Sequence, residues 1–161
     1  MARALGPMRL DDLDSVITLQ REGAVSALSH IFPQDTHPFP VAKVRRRWTE
    51  ELAGSDTQYF VIQTPDQAIR GFAATRGNEF LHFGTAVAMW GSGLAGQAHE
   101  EVLDHLREHG QPLASLWVFE KNGRARRFYE KRGWVMTGRR MESGFSPHPI
   151  LLQYQRDLAQ P

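Results

Sequence analysis

The sequence predicts a mixed α/β domain in which helices cover a central sheet. Three observations predict it. Short apolar runs of strand character are interleaved with apolar stripes at helical spacing along the chain. A glycine-rich turn, Gly91-Ser92-Gly93-Leu94-Ala95-Gly96, separates a strand-like segment from an amphipathic helix. The run "PLASLWVF" is nearly continuous in apolar residues, as expected of a strand covered on both faces. The 161 residues suit one domain, 1–161, and 41% apolar against 23% charged residues allow a real core.

Each element follows from local pattern. "ALGPMRL" reads as a first strand. "DDLDSVITLQREGAVSAL" opens on acidic residues, which favour a helix N-terminus, and Leu13, Val16, Ile17, Ala24 and Leu28 keep helical spacing. Gln20 is a polar gap in that stripe. "SHIFPQDTHPFP" is a proline-rich loop. Val41, Val44, Trp48 and Leu52 then mark one face of a second helix, with Arg45, Arg46 and Arg47 as solvated charge beside it. "TQYFVIQT", "AIRGFAATR" and "EFLHFGTAV" are three strands, the last placing Phe80, His82 and Gly84 on one face by simple alternation. In the helix after the glycine turn, Leu94, Ala98, Val102, Leu103 and Leu106 share a stripe, and Gly110 supplies the stop. "GRARRFYEKRG" is a short helix, and "WVMTGRRME" and "HPILLQYQRDL" are the final strands.

Composition excludes several classes of function. With no cysteine, the chain has no disulfide, no zinc–thiolate site and no thiol nucleophile. A net charge of +1 is too small for a duplex-binding protein, so no nucleic-acid partner is expected. No apolar run approaches the roughly 20 residues that span a bilayer, and no export signal opens the chain, so a cytoplasmic protein without a membrane partner is expected. His105 and His109 lie four apart on one helix face, but no third ligand is evident, so no metal is expected there.

The glycine turn spells G-x-G-x-x-G, and small residues at a helix start let phosphates approach unpaired backbone N–H groups. A dinucleotide fold would start at this turn, with Glu120 as the ribose-binding acid. Too little chain follows Glu120 to build its second half, and the residues before the turn would have no role. "WGSGLAGQAHEEVLDHL" and "LWVFEKNGRARRFYEKRGW" together resemble the GNAT superfamily of N-acetyltransferases. The family's Arg/Gln-x-x-Gly-x-Gly/Ala signature is matched by Trp90-Gly91-Ser92-Gly93-Leu94-Ala95, with Trp90 where Arg or Gln is usual. Its Asn-x-x-Ala-x-x-Phe-Tyr motif, followed by Gly-Phe or Gly-Trp, is matched by Asn122, Ala125, Phe128, Tyr129, Gly133 and Trp134.

The resemblance implies a central mixed, mostly antiparallel sheet of about seven strands, flanked by about four helices. It implies acetyl-CoA as cosubstrate, with the pyrophosphate on the backbone of Gly91, Ser92, Gly93, Leu94, Ala95 and Gly96. It implies a pantetheine arm paired along Thr85, Ala86 and Val87, with the Thr85 amide polarising the thioester carbonyl. Asn122 either bonds the arm or caps a helix. Phe128 packs in the core and lines the coenzyme groove. Tyr129 matches the family's general acid, the alternative being plain packing against Phe128. For the base the resemblance points to Glu79, with Glu120 and His82 as alternatives. The acceptor loop offers His30, Phe32, His37 and Phe39, with Asp35 able to hold a cation. The expected reaction is direct acetyl transfer to a primary amine of a small molecule. A protein or peptide acceptor and a non-catalytic acetyl-CoA-binding module remain alternatives. Relatives that dimerise through their last strands make a homodimer the expected assembly.

Overall fold

A computed structural model of the chain describes residues 2–159. Its order is β1 (Leu5–Pro7), α1 (Leu13–Ala27), α2 (Val41–Ala53), β2 (Thr57–Gln63), β3 (Ile69–Arg76), β4 (Glu79–Thr85), α3 (Leu94–Glu108), β5 (Leu113–Phe119), α4 (Gly123–Glu130), β6 (Val135–Glu142) and β7 (Ile150–Asp157). The seven strands form one sheet in the order β1-β2-β3-β4-β5-β7-β6. Every neighbouring pair is antiparallel except β4–β5, which is parallel. This is the mixed, mostly antiparallel sheet with four helices that the sequence predicts.

Two apolar cores lie on opposite faces of the sheet. On one, Val16 and Ile17 of α1 and Val44 and Trp48 of α2 pack against Val61 and Phe72. Trp48 Nε1–H donates to Gln20 Oε1 at 2.9 Å, so the polar gap in the α1 stripe is the partner of a buried indole. On the other face, Val102, Leu103 and Leu106 of α3 meet Phe80, Leu116, Trp134 and Tyr154. Glu101 on α3 accepts from the backbone N–H of Ala4 and Leu5, tying the short first strand to the helix. Among the described residues no helix is long and apolar enough to cross a membrane.

Two departures from simple alternation shape the site. The β3–β4 register shifts between Ala74 and Thr75, where Phe80 and His82 pair with consecutive residues and Leu81 is the extra one. Phe80 therefore packs beside Phe83, ring centroids 5.1 Å apart, towards α3, whereas His82 faces α2. The expectation that Phe80 and His82 share a face fails at this bulge. In β5, Ala114, Leu116 and Val118 enter the core, but Trp117 and Phe119 face a cavity rather than a second packed layer. The cavity exists because β4 and β5 pair only at Glu79↔Ser115 and then diverge.

Candidate active site

The divergence of β4 and β5 opens a cavity of about 600 Å³ that runs between α1, the loop before α2, β4, β5 and α4. The inner edge of β4 supplies backbone polar groups to it. Ala86 N–H donates to Arg70 O on β3 at 2.7 Å. Strand alternation therefore turns the N–H of Thr85 and Phe83 the other way, into the gap. The Thr85 carbonyl is already taken by the Trp90 indole N–H at 3.1 Å. The strand ends at Thr85. Ala86 is buried with its amide spent on β3, and Val87 begins a short 3₁₀ turn, Val87–Met89. Of the three positions expected along the coenzyme arm, Thr85 lines the cavity, while Ala86 and Val87 are not among its lining residues.

Past the turn, Gly91 and Gly93 hold φ of 79° and 90°, a region where a Cβ is strained. They reverse the chain so that α3 starts with its N-terminus beside the cavity end formed by Trp90 and Ala95. Ser92 N–H is spent on Met89 O, and Leu94 N–H reaches Ser92 Oγ at 3.3 Å. The first helical bond runs from Gln97 N–H to Gly93 O. The N–H groups of Gly93, Ala95 and Gly96 have no partner among the described residues and carry the positive end of the helix dipole. Two cations flank this end. The Arg124 guanidinium lies 3.6 Å over the Trp90 ring. Arg132 sits against the first turn of α3, its Nη2 3.0 Å from where a Cβ on Gly96 would lie. Neither pairs with a carboxylate among the described residues. A cation beside a helix N-terminus is repelled unless an anion sits between them, so the arrangement suits a phosphate group.

The α4 wall carries the second motif. Asn122 Oδ1 caps the helix by accepting from Ala125 N–H at 3.2 Å, while the residue also lines the cavity. Its NH₂ group has no partner among the described residues, so capping and ligand contact do not compete. Phe128 and Tyr129 follow on the same wall. Burial pushes the Tyr129 phenol above its ordinary range, so it is a protonated donor at neutral pH. Behind it, Trp134 Nε1–H donates to His99 Nε2 at 2.9 Å. That bond joins the glycine-turn helix to the Gly133-Trp134 end of the second motif.

On the opposite wall, His82 Nε2 lies 2.8 Å from Glu51 Oε2, and the ring lies tilted against Trp48 with centroids 4.5 Å apart. Burial pushes the Glu51 carboxyl up, but the hydrogen bond and electrostatic pull of the His82 N–H, together with the Arg47 guanidinium, outweigh it and hold the group below its usual range. The carboxylate accepts Nε2–H and leaves His82 Nδ1 as the lone-pair nitrogen. His82 lines the cavity and Glu51 stands behind it.

These features agree with a comparison by sequence. A model of the acetyltransferase (GNAT) family matches residues 24–134. The chain belongs to this family. Its fold also matches solved GNAT structures at low identity. A PaiA N-acetyltransferase from Thermoplasma acidophilum, in complex with coenzyme A, is 15% identical with a TM-score of 0.73, covering 98% of this chain and 99% of that one. A spermidine N-acetyltransferase from Vibrio cholerae, in complex with CoA and spermine, is 14% identical with a TM-score of 0.72, covering 97% and 95%. No curated protein matches the chain in sequence.

Within this GNAT fold the predicted site residues separate. Thr85, Ala95, Asn122, Phe128, Tyr129, Phe32, His37 and Phe39 line the cavity. Gly91, Ser92 and Gly93 are exposed at its mouth. His30 does not line it, because its Nε2–H is turned to Lys121 O at 2.8 Å. Glu79 also lies outside the lining, with its carboxylate on Arg76 at 3.0 Å. Glu120 pairs with Arg140 at 2.8 Å. Sequence reasoning missed Glu51, Arg132 and Gln34. The last staples the acceptor loop, donating to Phe32 O at 2.8 Å and accepting from Phe39 N–H at 3.1 Å. The stretch around Glu51 carries no motif, and only its contact with His82 in the fold draws attention to it.

Proposed function

We propose that this chain is an N-acetyltransferase that moves an acetyl group from acetyl-CoA to the primary amine of a small molecule. The observation that carries the reading is the split between β4 and β5. It presents unpaired strand amides, a helix N-terminus and a phenol along one cavity. The pyrophosphate lies on the N–H groups of Gly93, Ala95 and Gly96, with Arg124 and Arg132 beside it. The pantetheine arm runs along the β4 edge and meets the Asn122 NH₂ group. The Thr85 N–H points at the thioester oxygen, where charge develops in the transition state.

His82 Nδ1, with Glu51 behind it, takes the proton of the ammonium and gives a neutral nucleophile. It replaces Glu79 as the favoured base because it lines the cavity and Glu79 does not. The amine nitrogen then bonds to the carbonyl carbon, the carbon–sulfur bond breaks, and the nitrogen releases its second proton, which restores the one that Tyr129 gives to the sulfur. Tyr129 donates a hydrogen bond to the departing sulfur and supplies its proton as the negative charge builds. Its raised pKa makes it a weak acid, so the donated hydrogen bond precedes complete transfer. A homodimer through the last strands is supported by β6, which is the sheet edge and exposes Val135 and Met136. The test is thiol release from acetyl-CoA with a panel of amines. Tyr129→Phe should lower kcat by roughly 10²-fold or more while coenzyme affinity holds. Unchanged turnover in that variant would remove the phenol from the mechanism.

A further inference from the structure

The acceptor half of the cavity has a chemical character that narrows the amine. Among its lining residues there is no aspartate or glutamate. The charged lining side chains are Lys43 and Arg124, both cationic. Glu51, the carboxylate behind His82, is committed to His82 at 2.8 Å and to Arg47 at 3.1 Å. Asp35 belongs to the acceptor loop but is exposed and does not line the cavity. The walls are apolar instead. Leu19 comes from α1, Leu28 from just past its end, Phe39 from the loop, Phe72 from β3 and Phe145 from the segment between β6 and β7. Small residues make the room: Gly23, Ala24 and Ala27 turn one side of α1 towards it, and a Cβ on Gly23 would meet nothing within 4 Å.

A polyamine carries several ammonium groups at neutral pH. The reacting one can lose its proton to His82. Each remaining one that enters this half would be stripped of water with no carboxylate to receive it and with Lys43 as a like charge. A single amine on an apolar ring meets no such penalty and covers the aromatic wall. We infer that the acceptor is a monoamine carried on an apolar, aromatic-sized frame, and that polyamines such as the spermine bound by the Vibrio cholerae neighbour are rejected. This inference rests on the acetyltransferase reading and goes beyond it by naming the acceptor class.

The test measures coenzyme A binding by calorimetry and thiol release from acetyl-CoA on the full chain. The amines are 2-phenylethylamine, tryptamine, spermidine and spermine. The expected kcat/KM favours the aryl monoamines over both polyamines by about 100-fold, or about 2.7 kcal/mol. Phe39→Glu, which places a carboxylate on the cavity wall, should narrow that ratio at least tenfold while coenzyme A binds as before. Equal or better turnover of spermidine by the unaltered chain overturns the acceptor class and leaves the acetyltransferase reading standing. Coenzyme binding without turnover of either aryl amine overturns the class as well. Absence of coenzyme A binding defeats the acetyltransferase reading itself.

Discussion

The bond between the two motif segments makes stability depend on one buried imidazole. His99 is fully buried, accepts the Trp134 indole N–H at Nε2, and holds its own Nδ1 proton 3.1 Å from Glu100 Oε1. An indole only donates, so protonating Nε2 would set two N–H groups against each other at 2.9 Å. Burial is the main cause that lowers its pKa from 6.5 to about 4, against the opposing pull of Glu100, with Arg132 and Arg156 adding to the depression. Between these values the unfolded chain binds the proton and the folded chain does not, so stability falls as pH drops below 6.5 and the loss is complete below about 4. At 1.36 kcal/mol per unit, the full loss is about 3 kcal/mol, and about 2 kcal/mol is lost by pH 5. That is a large share of a typical stability of about 5–15 kcal/mol. Urea unfolding at pH 7.5 and pH 5.0, followed by tryptophan fluorescence, measures it. His99→Gln keeps an acceptor for Trp134 but has nothing to titrate. The wild-type chain should lose about 2 kcal/mol more than His99→Gln between the two pH values. Equal losses would show that His99 is not the titrating group and refute the argument.

Other perturbations separate the parts of the site. Glu51→Gln keeps the shape of the His82 partner but removes its charge. Turnover should fall by roughly 10²-fold with coenzyme affinity unchanged, and a pH-rate profile of the variant checks that the loss lies in the proton-transfer step. Gly93→Val forces a branched side chain into φ of 90°. It should cost about 1–2 kcal/mol of stability and weaken coenzyme A binding in calorimetry by tenfold or more. Arg132→Gln removes a cation that lies against the first turn of α3. It should weaken coenzyme A binding about tenfold at low salt and less at high salt, since the lost attraction is screened.

What was legible in the sequence was local. Gly91 and Gly93 announce a chain reversal because few other residues tolerate their φ, and the apolar stripe after them announces the helix that the reversal aims. Asn122, Phe128, Tyr129 and Trp134 sit within one short helix and its exit, so their spacing carries their geometry. The proposed proton acceptor, His82, was legible only as one candidate beside Glu79 and Glu120, and its partner Glu51 was not legible at all. His82 and Glu51 meet across 31 positions of sequence, and they meet only because a bulge at Leu81 turns His82 towards α2. Strand alternation has no means of foreseeing an extra residue in the ladder. Glu79 illustrates the converse. It has suitable chemistry at the start of β4, but Arg76 across the hairpin holds its carboxylate. Trp90 is a third case. Its departure from the usual Arg or Gln reads as a loss in sequence, whereas in the fold it bonds Thr85 O and carries Arg124 on its ring.

The account depends on a phosphate cradle at the α3 start that continues into the open edge of β4. Backbone amide resonances followed by NMR during titration with coenzyme A test it most directly. Saturable shifts concentrated at Phe83 and Thr85 and at Gly93, Ala95 and Gly96 are the predicted result. A silent spectrum at saturating coenzyme, or shifts confined to other parts of the chain, would contradict it.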